Sequence, residues 1–108
     1  MIARMDLRRF DAYWNALGRR DPFSAILLPG ARSAAWDVDA FFATGRTDGL
    51  RFIADLIRVV PDAGRLSALD FGCGVGRITR TLADHFEAVD GVDVAPSMIA
   101  RARELNGS

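Results

Sequence analysis

An α/β fold is predicted, helices first and then a strand, helix, strand, helix unit, from three observations. Through residues 1–62 apolar side chains recur at three- and four-residue spacing, the helical period. Two short apolar runs follow, Leu66 to Phe71 and Val89 to Val94, each carrying an acid near its end. Between the first run and the next helical stretch stand Gly72, Gly74 and Gly76, at every second position. Strands that alternate with helices in this order favour a parallel pair joined by a right-handed crossover.

The first element is an amphipathic helix over Asp6 to Leu17, with Leu7, Phe10, Trp14 and Leu17 on one face and Gly18 as its stop. Asp21-Pro22 starts a short turn or helix through Ala25 to Leu28, closed by Pro29-Gly30. A short helix is expected over Trp36 to Phe42, capped by Asp37 or Asp39. Thr47-Asp48-Gly49 opens another from about Leu50 to Val60, ended by Pro61, which cannot continue a helix. Leu66 to Phe71 reads as a short buried strand. Ile78 to Phe86 reads as the next helix, with Ile78, Leu82 and Phe86 on one face. The segment Val89 to Met98 is a second strand ending in Asp93, then a helix start near Pro96.

The three glycines therefore fall in the strand-to-helix turn, where a missing Cβ permits positive φ and close approach of a ligand. Their spacing narrows the ligand. A dinucleotide fingerprint G-x-G-x-x-G would need glycine at Arg77 or Thr79, and a Walker-type loop needs a lysine that this chain nowhere contains. A carboxylate at Asp70 repels phosphate and suits a ligand with a cationic end; S-adenosylmethionine carries both an ammonium and a sulfonium.

At Asp70-Phe71-Gly72-Cys73-Gly74-Val75-Gly76 the chain resembles the class I S-adenosylmethionine-dependent methyltransferases, whose first motif is an acid followed by x-G-x-G-x-G. The segment Val89-Asp90-Gly91-Val92-Asp93-Val94 is similar to their second motif. The resemblance implies a Rossmann-like domain and S-adenosyl-L-methionine as cofactor. It implies further that Asp93 accepts the ribose hydroxyls, that Val94 lies beside the adenine, and that Asp70 with Gly72, Cys73, Gly74 and Gly76 lies near the methionine part. An ionised carboxylate suits the ribose because it accepts both hydroxyl protons at once. Simpler readings stand beside these: Asp70 as a strand terminator, Asp93 as a helix cap and Cys73 as small filler. Asp90 is expected at the surface. His85, late in the Ile78 to Phe86 helix, fits the C-terminal dipole and is not assigned as a base. No catalytic residue and no metal ligand set emerges.

Composition bounds the function classes. A hydrophobic fraction of 50% with 26% charged residues describes a globular chain, and fourteen arginines against fourteen acids leave no net charge. No nucleic-acid or anionic-membrane partner is indicated by a global field. A cytoplasmic location is the expectation, since no signal-peptide core precedes Arg8 and Arg9.

Residues 1–62 are thus expected to form a helical cap or lid, and 63–108 a partial S-adenosylmethionine-binding domain. Arg46 is a candidate for a bidentate pair with the methionine carboxylate, or else a solvated helix end. Phe41 and Phe42 serve either the lid or ordinary helix packing. The family resembled has a seven-stranded sheet, so the fold is expected to be truncated after strand two and its helix, with two open strand edges. The expected parent reaction is methyl transfer to a small-molecule acceptor. The alternative is a non-catalytic cofactor-binding or interaction module that pairs with another chain, a second copy included, through the open sheet edge.

Overall fold

The computed structural model describes residues 7–26 and 37–107. Its elements run α1 (Leu7–Arg20), α2 (Pro22–Ile26), α3 (Val38–Val59), β1 (Ser67–Phe71), α4 (Thr79–Ala83), β2 (Ala88–Val92) and α5 (Pro96–Asn106). Helices thus precede two strands that pair in parallel, Ser67 opposite Ala88 through Phe71 opposite Val92. The expected Pro29-Gly30 closure and Trp36 lie outside the described residues.

Local chemistry explains most of the boundaries. Asp37, in extended conformation, accepts the Asp39 N–H at 3.0 Å and caps α3. The other end of α3 closes at Val60, whose N–H reaches the Leu56 carbonyl at 2.7 Å, just before Pro61. Pro96 opens α5, and Gly107 in the left-handed region closes it by donating to the Arg103 carbonyl at 2.9 Å.

Three expectations are corrected. Gly18 does not stop α1, and Thr44 to Gly49 do not separate two helices: α3 is one continuous helix of 22 residues. In both places glycine provides a close approach between helices. A Cβ on Gly18 would collide with Ser97 Oγ, one on Gly45 would overlap the Arg77 carbonyl oxygen, and one on Gly49 would meet Thr81 Cγ2 at 2.8 Å. The tertiary contact outweighs the roughly 1 kcal/mol intrinsic cost of each helical glycine. Third, α4 is a single turn and a half, from Thr79 rather than Ile78, because the chain leaves the glycine turn late and coils tightly again at Asp84, His85 and Phe86.

The core is not where the strands suggest. Phe41, Phe42, Val75, Ala95 and Met98 form the buried cluster, with Trp14, Phe23, Ala25, Ile26, Val38 and Leu105 packed around it. It therefore joins helices α1, α2, α3 and α5 beneath the glycine turn, which contributes Val75. Of the sheet, one face is covered by α4. On the other, Leu69 is 62% exposed and Phe71 85%, so β1 is not the buried strand that its apolar run suggests. Among the described residues a single helical layer covers the two-stranded sheet, which leaves the second face exposed.

Polar contacts fasten the helices to the turn. The Arg80 guanidinium lies over the Phe42 ring at 3.4 Å and donates to Asn106 Oδ1 and the Leu105 carbonyl, both at 2.8 Å. Asn106 in turn donates to the Val75 carbonyl at 3.1 Å. From α3, Asp48 accepts from Arg77 Nη1 at 2.9 Å and Thr44 from the same nitrogen at 3.3 Å.

Candidate functional site

The turn between β1 and α4 is built by its glycines: Gly72, Gly74 and Gly76 have φ of 78°, 56° and 89°, a region that side chains bearing a Cβ avoid. Its backbone donors are already engaged. Gly72 and Cys73 N–H both reach the Val92 carbonyl, at 2.7 and 2.9 Å, and Gly76 N–H reaches Cys73 O at 3.0 Å. Gly74 N–H reaches Asp93 Oδ2 at 2.8 Å. A phosphate loop needs convergent N–H groups turned toward the anion. Here four of them face the protein instead.

Asp93 closes the site from the second strand. One carboxylate oxygen holds the turn at Gly74, and the other accepts the Ala95 N–H at 2.9 Å as α5 begins. Asp93 is not the helix cap: Ala95 stands at the N-cap of α5, and Asp93 holds that residue's own N–H. Each carboxylate oxygen has a second lone pair, so Asp93 can anchor the backbone and still accept hydroxyl protons. Asp70, half-buried, accepts the Thr79 hydroxyl at 2.6 Å and so ties the end of β1 to the start of α4.

A cleft of about 570 Å³ opens over this corner and is lined by Gly72, Gly74, Asp93 and Val94. Among the described residues, chain neighbours aside, no atom stands within 4 Å of where a Cβ on Gly72 would lie, so the backbone there is open to a ligand. Among the described residues Asp93 is the one ionisable residue of the lining. The remaining wall is apolar and includes Phe71, Val92 and Met98.

Other sequence candidates fall elsewhere. Cys73 is buried with its Sγ 3.6 Å from the Gly74 carbonyl, and it lines, with Gly76, a separate opening between α4 and α5. Burial first, and then the negative charges of Asp70 and Asp93, push its thiol up to about 11. Both carboxylates therefore bracket the turn electrostatically, and the thiol stays neutral and inert near neutral pH. Arg46 is exposed on α3 and does not line the cleft; Phe41 and Phe42 belong to the core. His85 Nδ1 lies 3.0 Å from the Thr81 carbonyl, a local helix-end contact. Asp90 is exposed. Among the described residues no cluster of three or more His, Cys, Asp or Glu is placed to hold a metal ion, and no helix is long and apolar enough to cross a membrane.

Sequence reasoning missed the opposite wall of the cleft, formed by Phe10 and Trp14 of α1 with Ala25 and Ile26 of α2. A residue that lines a cleft and one that fills a core carry the same helical periodicity, so no local signal distinguishes them.

Comparison with known proteins gives two findings. Residues 68–108 match the family model described as a methyltransferase domain. Over 74 residues the chain is 39% identical to a trans-aconitate 2-methyltransferase of Methylobacterium nodulans; the aligned stretch is 65% of this chain and 28% of that relative. No solved structure matches the chain.

Proposed function

We propose, for a chain whose residues 68–108 belong to the class I S-adenosylmethionine-dependent methyltransferases, that the cleft over the glycine turn binds S-adenosyl-L-methionine for methyl transfer to a small-molecule acceptor. The observation that carries this reading is the meeting, in one cleft, of an open glycine backbone at Gly72 with the carboxylate of Asp93. In this reading Asp93 receives the ribose hydroxyls, Val94 lies beside the adenine, and Gly72 with Gly74 gives passage to the methionine part. Asp70 acts through position and field: it fixes Thr79 at the head of α4 and biases the turn toward a cationic ligand. When bound, the cofactor supplies an electrophilic methyl group on its sulfonium sulfur. The chain's own task is to hold the ligand in line and keep water off the apolar wall.

A small-molecule acceptor is supported by the relative, a methyltransferase of trans-aconitate. The chain spans about 28% of that protein's length, and the bare sheet face at Leu69 and Phe71 fits the reading that it is the cofactor-binding portion of a larger sheet.

Calorimetric titration with S-adenosylhomocysteine tests the proposal. Saturable binding is expected, weakened by about 1.5–3 kcal/mol in Asp93→Asn, the worth of hydrogen bonds to a charged acceptor. A thermal melt of each protein monitors the two backbone bonds that Asp93 also makes. A cooperatively folded chain that does not bind, or a variant that binds as well as the parent, refutes the assignment.

A further inference from the structure

The geometry points to α1 as a wall of the cofactor cleft, with Phe10 and Trp14 packing against the nucleoside end of the ligand and an Asn15–Ser97 clasp fixing them there. This inference rests on the reading of the cleft given above and assigns residues that neither motif contains.

Phe10 and Trp14 lie one helical turn apart, their rings edge to face with centroids 6.1 Å apart, and both line the cleft that holds Asp93 and Val94. Trp14 also packs against the core, whereas Phe10 remains 39% exposed. Among the described residues the cleft thus offers one carboxylate and an otherwise apolar wall with aromatic faces. That combination suits a flat base joined to a hydroxylated sugar: the sugar meets the acceptor and the base meets the rings.

The clasp explains why α1 stands there. The residue capping α5, Ala95, has no side chain able to satisfy the first N–H groups of that helix. Asn15 performs the task from α1: its Oδ1 accepts the Ser97 N–H at 2.9 Å, and its backbone carbonyl accepts the Ser97 hydroxyl at 2.6 Å. Gly18, one turn on, lets the helices close to this distance. Two residues before Ser97, the Ala95 N–H is held by Asp93. The first turn of α5 is therefore gripped by α1 on one side and by the proposed ribose acid on the other. A shift of α1 would move the aromatic wall and the turn that carries Asp93 together.

The test uses the full chain and S-adenosylhomocysteine as probe. In a Trp36→Phe background Trp14 is the sole tryptophan, and its emission is expected to change saturably with the calorimetric isotherm. Trp14→Leu, which keeps apolar bulk, and Phe10→Ala are each expected to weaken binding about tenfold, the scale of losing one ring stacked on a base. Asn15→Ala is expected to weaken binding in the same direction and to alter the Trp14 emission of the free protein. Binding that is lost in Asp93→Asn but unchanged in Trp14→Leu and Phe10→Ala overturns this inference and leaves the cofactor reading standing. Silent Trp14 emission at saturation overturns it as well. No binding by the parent chain overturns both.

Discussion

Replacing Gly45 with alanine separates helix propensity from tertiary packing. In an isolated helix the change stabilises by about 1 kcal/mol. In this protein the new Cβ would overlap the Arg77 carbonyl oxygen, with Arg77 Cγ at 2.7 Å and its carbonyl carbon at 2.8 Å. Most of these are backbone atoms of the turn leaving the glycine motif, and they cannot rotate away. Relief requires α3 to slide off α4, which disturbs the Arg77 contacts to Asp48 and Thr44. Overpacking of this kind costs about 1–3 kcal/mol. With the clash on backbone we take the upper end, so after the propensity gain the net loss is about 2 kcal/mol. For a domain of this size that lowers Tm by roughly 8–16 °C. The assay is thermal and urea unfolding followed by far-ultraviolet circular dichroism. Gly64→Ala serves as control, since nothing lies within 4 Å of its Cβ position and its effect is expected within about 0.5 kcal/mol. Gly49→Ala is expected to cost less than Gly45→Ala, because it meets the Thr81 side chain rather than a carbonyl. A Gly45→Ala protein stabilised by about 1 kcal/mol would refute the reasoning and show that α3 is not seated on Arg77.

Two further expectations are checked by the same unfolding measurements. Because the Cys73 thiol is raised from 9.0 to about 11 in the fold, the folded state holds that proton more tightly than the unfolded chain. Its contribution is complete below pH 9 and is lost as the pH climbs toward 11. The stability of the parent relative to Cys73→Ala should therefore fall across that window, and parallel curves would contradict it. Phe41→Ala, at a fully buried ring in the core, is expected to cost about 3–5 kcal/mol, against no more than about 0.5 for Phe71→Ala on the bare sheet face. Equal losses would mean that the sheet face is covered.

The glycine turn was legible because its information is local. Alternate glycines after an apolar run permit a backbone with positive φ that other residues avoid, and the acid at Asp93 follows at the end of the next strand. The same locality narrowed the α3 cap to Asp37 or Asp39 and placed the stop at Pro61 and the start at Pro96. Gly18, read as a stop, and Gly49, read with Thr47 and Asp48 as a helix start, were misread for the complementary reason. A glycine that ends a helix and one that admits a neighbouring helix look alike until the neighbour is known. Leu69 and Phe71 show the same limit in strands, where an apolar run states what a face would bury but not whether anything arrives to cover it.

The chain order of helices and strands, the shape of the turn and the acid beside it are properties of short segments, fixed by steric and hydrogen-bonding rules acting over a few residues. Which side chains share the cleft is another matter. Trp14 and Phe10 lie far along the chain from Asp93, and Asn15 meets Ser97 across 82 positions. They come together only because the packing of α1 on α5 brings them there, and that packing depends on surfaces contributed by the whole chain at once.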